Sequence, residues 1–245
     1  MSDFPRNGGA ASPPSSDHIT PLSRLPNFDP RRVPVLGVDA HLPAVSKDRL
    51  SVEFLRQRFA TPPAWEPEVR VEPRFVKRAP AAAAVLLPLV QRDQPTLLLT
   101  QRTSHLSNHS GQIAFPGGKV DAGDADVIAA ALREAEEEVG LAREHLQVLG
   151  TLPIYTTGTA FVITPVVAWV QPTFTLRPNP GEVADVFEVP LSFLLDPSHH
   201  RRHAFEVEGL RREWFSMPYQ DGEVERYIWG ATAGMLRNFY RFMVA

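Results

Sequence analysis

The sequence predicts an α/β sandwich built around one core, and two patterns lead to that prediction. Apolar runs of strand length recur between residues 81 and 189, with turn-forming residues between them. A strongly periodic helix lies among these runs, and a second one closes the chain. Such a mixture of strands and helices is typical of helices packed on a sheet. The length of 245 residues allows one domain of this kind with an extension.

The front of the chain predicts an N-terminal extension. More than half of the 24 prolines fall in the first third of the chain. Residues 1–30 combine few aliphatic residues with many turn formers, so we expect this segment to be disordered. Residues 31–77 are expected to form an arm with one short helix at 52–60. Ser51 is placed to cap that helix, and Pro62 to end it.

The main domain is expected at residues 78–245. We predict strands at 81–90, 96–102, 146–152, 161–170 and 186–189, a hairpin within 203–217, and helices at 125–139 and 230–242. Pro165 interrupts one of these strands, and a proline within a strand indicates an edge position or a bulge. A run of basic residues at 199–203 is interpreted as a solvated loop.

Composition excludes several functional classes. The formal net charge is −3, whereas a dedicated nucleic-acid binder normally has a basic excess, so we expect no nucleic-acid partner. The absence of cysteine rules out disulfides, thiolate catalysis and cysteine zinc sites. No run approaches the roughly 18 to 20 apolar residues of a membrane span, and the first residues lack the apolar segment of a signal peptide. We therefore expect a cytoplasmic protein without a membrane partner, and the oligomeric state stays open.

The helix expected at 125–139 has two distinct faces. At about 100° per residue, one side gathers apolar residues that can pack into a core. These are Ile128, Ala131, Leu132, Ala135 and Val139. Another side gathers Glu134, Glu137 and Glu138, which follow the i, i+3, i+4 spacing of one helical stripe. We expect this acidic stripe to be exposed.

The acidic stripe suggests a metal site. Like charges at this spacing repel each other, and the helix dipole disfavours negative charge near a C-terminal end. A divalent cation would relieve both penalties, and Mg²⁺ or Mn²⁺ suits hard oxygen ligands. An ordinary solvated face is the alternative. The neighbours favour a site: Gly117 and Gly118 allow a ligand to approach closely, and Arg133 can hold a carboxylate. Gly140 is placed to end the helix.

Glycines, an arginine and glutamates at this spacing resemble the Nudix box, the signature of the Nudix hydrolases. The matching residues are Gly118, Arg133, Glu134, Glu137, Glu138 and Gly140. The general box has a glutamate where this chain has Asp124, and it has one residue fewer between glycine and arginine. In both departures this chain resembles the coenzyme A diphosphatase branch of the family, whose box carries such an insertion.

A second motif, residues 98–118, resembles the signature that precedes the box in coenzyme A diphosphatases. The matching residues are Leu98, Leu99, Thr100, Arg102, Gly111, Phe115, Pro116, Gly117 and Gly118. Thr103 replaces a usual serine, which is a mild change. Ser107 stands where the family usually has arginine, which matters if that residue meets a substrate phosphate. The resemblance covers about residues 78–242.

The resemblance implies a Nudix-type α/β/α sandwich with a mixed β-sheet, and a metal-dependent diphosphatase activity. Glu134, Glu137 and Glu138 would hold Mg²⁺ or Mn²⁺ ions, which screen the diphosphate and activate a water. Glu134 and Glu137 are therefore also catalytic candidates. Arg133 would orient carboxylates, because its pKa is too high for proton exchange. The general base would be a box glutamate or a carboxylate from a later loop, for which Glu182 is the candidate; a solvated loop acid is the alternative for Glu182.

By the same resemblance, the substrate is coenzyme A or a derivative, cleaved to adenosine 3′,5′-bisphosphate and 4′-phosphopantetheine. A 3′-phosphate needs cationic donors, and the candidates near the signature are Arg102, His105 and His109. Gly117 and Gly118 would bring the backbone close to the substrate. Each cationic candidate also has a structural alternative, a surface charge for Arg102 and a loop or packing role for the histidines.

The sequence leaves three functions open. The first is a coenzyme A diphosphatase. The second is a Nudix hydrolase with the same chemistry and another substrate, such as ADP-ribose or a dinucleotide, and Ser107 keeps this alternative open. The third is a catalytically silent Nudix module that binds a nucleotide, which is disfavoured because all three box glutamates are present.

Overall fold

Two β-sheets pack against each other in the computed structural model, which describes residues 28–74, 76–104, 111–207 and 209–245. The strands are β1 (Val35–Val38), β2 (Ala81–Val90), β3 (Thr96–Arg102), β4 (Ile113–Ala114), β5 (Gly117–Lys119), β6 (Leu146–Thr151), β7 (Tyr155–Thr156), β8 (Phe161–Val170), β9 (Val183–Pro190), β10 (Arg201–Val207), β11 (Leu210–Asp221) and β12 (Val224–Trp229). The α-helices are α1 (Val52–Ala60), α2 (Val127–Val139), α3 (Leu191–Leu194) and α4 (Gly230–Val244). Among these described helices, none is long and apolar enough to cross a membrane.

The larger sheet, formed by β2 to β9, is mixed, and β2 lies at its centre. β2 runs parallel to β8 along its whole length. Its other edge has two antiparallel partners, β3 at one end and β5 at the other. β9 extends the sheet beyond β3, while β6 and β7 extend it beyond β8. The smaller sheet is antiparallel, in the order β1-β10-β11-β12.

Two apolar clusters cover the two faces of the larger sheet. On one face, Ala135 of α2 packs with strand residues such as Leu86. On the other face, Phe239 of α4 belongs to a cluster that includes Leu87 and residues of the smaller sheet. The prediction of a Nudix-type mixed sheet with helices on both faces is confirmed. Because α2 presents alanines to the sheet, its backbone lies close to the strands, and this brings its acids near β5.

Most predicted elements are confirmed at or near their expected bounds. Four of them match the structure residue by residue: 52–60, 81–90, 96–102 and 161–170. α2 begins two residues later than predicted, because the Asp126 side chain accepts a hydrogen bond from the Ala129 N–H and caps the helix there. The hairpin expected within 203–217 is part of a longer antiparallel run, β10 to β12.

Pro165 does not mark an edge strand, so the edge alternative is wrong. The pairing opposite it is irregular, because residues 152–154 stand opposite residues 164–165, and this agrees with the bulge alternative. β8 is an interior strand, with β2 on one side and β6 and β7 on the other. The Pro165 carbonyl accepts a hydrogen bond from the Leu152 N–H, in the gap between the end of β6 and the start of β7. The N–H and C=O of one residue point to the same side of a strand, so the N–H that proline lacks would face this gap.

The basic run at 199–203 is not a solvated loop, which corrects our interpretation. Its second half begins β10, an interior strand of the smaller sheet, and His200 and His203 are buried. His203 stacks on Trp214 with the ring centroids 5.5 Å apart. His200 Nε2 lies 2.9 Å from the Leu194 carbonyl oxygen. His203 therefore has a packing role within the smaller sheet, and His200 has one between this sheet and the end of α3.

The described part of the N-terminal arm begins at Phe28, and its first residues pack on the outer face of the smaller sheet. The Phe28 and Phe205 ring centroids are 5.5 Å apart, and the Pro30 carbonyl accepts a hydrogen bond from the Tyr227 hydroxyl at 3.0 Å. Our expectation of disorder is therefore wrong for residues 28–30. Residues 1–27 lie outside the described residues.

A buried ionic network links this N-terminal arm to the domain. Arg237 on α4 is 1% exposed; its Nε donates to Glu68 at 2.7 Å, and its Nη2 lies 2.9 Å from Asp39. Arg202 on β10 contacts the same two carboxylates, at 2.7 and 2.8 Å. Burial opposes ionisation of Asp39 and Glu68, but hydrogen bonds from the arginines outweigh it and lower both pKa values. Removing one partner would leave an uncompensated buried charge.

His200 makes the stability of this region depend on pH. Its Nδ1 lies 3.1 Å from Nη1 of Arg237, and burial lowers the pKa of His200 from 6.5 to about 4. As the pH falls below 6.5, the unfolded chain binds a proton here that the folded chain does not bind until the pH is near 4. Folding stability therefore falls across this window, by up to about 3 kcal/mol from His200. The lowered pKa values of Asp39 and Glu68 act in the same direction at lower pH.

We expect the substitution His200→Gln to flatten this pH dependence. Glutamine keeps one donor and one acceptor but has no proton to gain, so the loss of stability between about pH 6.5 and about pH 4 should become smaller. Urea unfolding of both proteins across this range measures the difference. A variant whose stability falls as steeply as that of the wild type would contradict the assignment to His200.

Candidate active site

The C-terminal turns of α2 lie beside the glycines of β5. Pairing with β2 places Gly117 opposite Val85 and Gly118 opposite Ala84. Gly140, with φ +70°, ends the helix, and its N–H donates to the Glu136 carbonyl at 2.9 Å. The carboxylates of the last helical turns therefore meet a stretch of strand that has no side chains.

The Glu134 carboxylate occupies the space that a side chain at position 118 would take. A Cβ added to Gly118 would lie 2.5 Å from Glu134 Cδ and Oε1. Burial raises the pKa of Glu134; hydrogen bonding and charge from Arg133 oppose the shift, and the charges of Glu137 and Glu182 add to it. Glu137 itself is exposed. The acidic stripe is thus crowded and only partly in contact with solvent.

Glu138 is buried, so the expectation of an exposed stripe is wrong for this residue. It is 3% exposed, and its Oε2 accepts a hydrogen bond from the Gly117 N–H at 3.1 Å. Arg102 Nη1 lies 3.5 Å from its Oε1. Burial raises the pKa of Glu138 to about 7; the Gly117 hydrogen bond and Arg102 oppose this shift, while the charges of Glu182 and Glu134 add to it. The helical wheel could not reveal this burial, because β5 and Arg102 come from other parts of the chain.

Arg133 holds two of the box acids and is itself held by Asp124. Its Nη1 donates to Glu134 at 3.1 Å and to Glu137 at 3.0 Å. Nε and Nη2 form a bidentate contact with Asp124, at 2.9 and 3.0 Å. Hydrogen bonds from Arg133 and from the Asp121 N–H lower the pKa of Asp124 to about 2. Asp124 thus fixes Arg133, and Arg133 orients the carboxylates, as expected for a residue that does not exchange protons.

In the described part of the chain, no three His, Cys, Asp or Glu side chains are clustered as a ready metal site. The box acids have other partners instead: Arg133 binds Glu134 and Glu137, and Glu138 faces the Gly117 N–H. Their donor chemistry nevertheless fits a divalent cation, because these are hard oxygen ligands, and burial and mutual repulsion raise the pKa of two of them. The role of these glutamates as metal ligands stays a prediction.

The structure brings Glu182 to the same site. It precedes β9, and the N–H of Thr103, just after β3, donates to the Glu182 carbonyl at 3.0 Å. Its charge raises the pKa of both Glu134 and Glu138, so it belongs to the electrostatic environment of the box.

Of the predicted substrate contacts, Arg102, Gly117 and Gly118 converge on the box acids. Arg102 contacts Glu138, and the two glycines lie against Glu138 and Glu134. His105 and His109, together with Ser107, lie outside the described residues.

Sequence reasoning missed Asn179, a residue that borders the site. Its main-chain N–H donates to the Glu138 carbonyl at 2.8 Å, and its side-chain Nδ2 lies 3.4 Å from Glu182 Oε1. The signal available was the order Asn-Pro-Gly at 179–181, which is typical of a turn stabilised by the asparagine side chain.

A family model described as the NUDIX domain matches residues 79–216, which is more than half of the chain. The chain belongs to the Nudix family. Nudix enzymes act on diphosphate bonds, so this protein is a Nudix hydrolase of a nucleoside diphosphate derivative. Nudix hydrolases generally need divalent metal ions and bind small nucleotide-derived substrates.

Relatives and solved structures carry the same family name. The uncharacterized Nudix hydrolase NudL of Enterobacter sp. (strain 638) is 48% identical over 159 residues, which are 64% of this chain and 79% of the relative. A protein of that name from Escherichia coli O1:K1 / APEC is 46% identical over 157 residues, with the same coverage. The solved Nudix hydrolase RenU from M. smegmatis is 27% identical, with a TM-score of 0.39 over 49% of this chain and 76% of that chain. These names state no substrate for the NudL relatives.

Two neighbouring glycines on β5 should respond differently to alanine. In Gly117→Ala the new Cβ would clash with the Ala84 carbonyl oxygen, and φ is +155°, so we expect a destabilised fold. In Gly118→Ala the three atoms nearest to the new Cβ all belong to the flexible end of Glu134, so the fold should tolerate the substitution while the carboxylate moves. We expect a loss of roughly 10-fold or more in hydrolysis for Gly118→Ala with little change in the unfolding temperature.

Thermal unfolding and hydrolysis assays of the two purified variants test this difference. Full activity in Gly118→Ala would contradict the assignment of Glu134 to the site. An equal loss of stability in both variants would contradict the expectation that a clash with backbone destabilises the fold more than a clash with a flexible side chain.

Proposed function

We propose that this Nudix hydrolase cleaves the diphosphate bond of coenzyme A or a derivative, with Mg²⁺ or Mn²⁺ as the metal. The products would be adenosine 3′,5′-bisphosphate and 4′-phosphopantetheine. The observation that carries the proposal is the convergence of the 98–118 motif and the box at one place, where Arg102 contacts Glu138. That motif resembles the signature of coenzyme A diphosphatases, and its arginine, Arg102, faces Glu138 of the box. The alternative of a surface charge for Arg102 is less favoured, because it is half-buried against α2.

Glu134, Glu137 and Glu138 are the proposed metal ligands. A divalent cation held there would screen the diphosphate and lower the pKa of a bound water. The fit rests on oxygen donors that already repel each other and on Gly118, which leaves room beside Glu134. Arg133 would remain in contact with Asp124 and hold the box carboxylates in place.

The proposed chemistry is the attack of a water oxygen on one phosphorus of the diphosphate, with breakage of the bridging P–O bond. Glu182 is the proposed base that takes the proton from the water, with Glu134 or Glu137 as alternative bases. Arg102 would donate hydrogen bonds to a substrate phosphate, and Gly117 and Gly118 stay candidates for main-chain contacts with that phosphate. His105 and His109 stay candidates for the 3′-phosphate.

A second candidate keeps the chemistry and changes the substrate. Ser107 stands where coenzyme A diphosphatases usually have arginine, so a pocket for ADP-ribose or a dinucleotide is the alternative. The NUDIX domain of Shewanella oneidensis NrtR was solved with ADP-ribose; it is 22% identical, with a TM-score of 0.38 over 49% of this chain and 79% of that chain. A silent nucleotide-binding module is less favoured, because all three box glutamates are present.

We expect Glu138→Gln to lose hydrolysis by about 100-fold or more while the protein stays folded. The amide oxygen can still accept the hydrogen bond from the Gly117 N–H, and a buried charge is removed, so stability should be unchanged or slightly higher. The matched control is Glu136→Gln on the exposed side of α2, which should retain full activity. Unchanged turnover in Glu138→Gln would contradict the metal assignment.

Product analysis by mass spectrometry tests the substrate. Coenzyme A and ADP-ribose compete in one reaction with Mg²⁺, and a parallel reaction contains Mn²⁺. We expect adenosine 3′,5′-bisphosphate together with 4′-phosphopantetheine. AMP with ribose phosphate would reject coenzyme A as the preferred substrate and retain the Nudix chemistry, and the absence of any cleavage would favour a binding module.

A further inference from the structure

The loop that carries Glu182 rests on the C-terminal end of α2. The Arg177 N–H donates to the Val139 carbonyl at 2.8 Å, and the Asn179 N–H donates to the Glu138 carbonyl at 2.8 Å. A Cβ at Gly140 would lie 2.9 Å from Arg177 N, which shows how closely the loop approaches. The position of the loop is therefore set by the same helical turn that carries Glu138.

Asn179 makes most of the hydrogen bonds that shape this loop. Its carbonyl accepts from the N–H groups of Glu182 and Val183, at 3.0 and 2.9 Å. Its Oδ1 accepts from the Gly181 N–H at 3.0 Å. Because that N–H can only donate, the side-chain oxygen is identified, and Nδ2 must face Glu182 Oε1, 3.4 Å away.

Thr103 holds the loop from its other side. The Thr103 N–H donates to the Glu182 carbonyl at 3.0 Å, and its hydroxyl donates to the Gly181 carbonyl at 3.4 Å. Thr103 follows Arg102 at the end of β3, so the loop lies between the strand that carries this arginine and the helix that carries the box. These hydrogen bonds fix the main chain around Glu182, but they do not fix the orientation of its side chain.

We propose that Asn179 is a positioning residue, which holds the Glu182 carboxylate toward the box acids; this inference rests on the role proposed for Glu182. Glu134 and Glu138 carry like charges that repel this carboxylate, and a glutamate side chain has several rotamers through which it can turn to solvent. The Asn179 amide opposes that rotation. As a neutral donor it orients the carboxylate without cancelling its charge, which an arginine or lysine would do.

Two substitutions separate the orientation of Glu182 from the shape of the turn. Asn179→Asp keeps an acceptor for the Gly181 N–H but loses the donor to Glu182, whereas Asn179→Ala loses both. We expect kcat to fall by about 5- to 10-fold in both variants with KM nearly unchanged. Hydrogen exchange of the Gly181 amide should accelerate in Asn179→Ala and stay slow in Asn179→Asp. Gln147→Ala, which removes an amide contact with Arg56 at β6, on the opposite edge of the larger sheet, is the control and should retain wild-type kcat.

A double-mutant cycle with Glu182→Gln decides whether Asn179 acts through Glu182. If it does, Asn179→Ala should have no further effect on kcat in the Glu182→Gln background. A full additional loss there, or full activity of Asn179→Ala alone, overturns the positioning role while the role of Glu182 stands. If Glu182→Gln alone retains wild-type kcat, the proposed base is wrong and the positioning role falls with it.

A measurement without substrate separates the positioning role of Asn179 from the proposed hydrolysis of coenzyme A. Carbon-13 relaxation of the Glu182 side chain, assigned with the Glu182→Gln variant, should report lower order in both Asn179 variants than in the wild type. Unchanged order would overturn the inference even if coenzyme A is hydrolysed. Lower order would support it even if the substrate proves to be a different one.

Discussion

The close approach of α2 to β5 is the contact on which the site depends. Gly118 has no side chain, so the Glu134 carboxylate lies directly against the backbone of β5, and the Gly117 N–H donates a hydrogen bond to Glu138. The alanines that α2 buries against the sheet allow this distance, because larger side chains would push the helix away. Burial of the carboxylates then follows from packing, and their raised pKa values follow from burial.

A second consequence is the arrangement of positive charge around these acids. Arg133 holds Glu134 and Glu137 from within the helix, and Arg102 approaches Glu138 from β3. Asp124 stands where the general box has glutamate, and its bidentate contact with Arg133 shows that the shorter acid still reaches the guanidinium. The extra residue between glycine and arginine is therefore compatible with the same function of anchoring the arginine.

The N-terminal arm contributes to a different part of the molecule. Its contacts with Arg202 and Arg237 join it to the smaller sheet and to α4, on the face of the larger sheet opposite α2. We infer from these contacts that the arm stabilises the fold, and that its buried charges make stability fall in acid. The arm's ionic contacts therefore lie away from the site, whose residues come from β3 and later elements.

The sequence alone determined the local features: the end of α2 at Gly140, the bounds of β2, β3 and β8, the spacing of the box glutamates and the family resemblance. Periodicity, caps and glycine positions are properties of neighbouring residues, so they can be read without coordinates. The burial of Glu138, the interior position of β8 around Pro165, the burial of His200 and His203 and the hydrogen bonds of Asn179 were decided only by the tertiary structure. Each of them depends on contacts between residues far apart in the chain, and the pattern of one segment holds no information about which other segment will cover it.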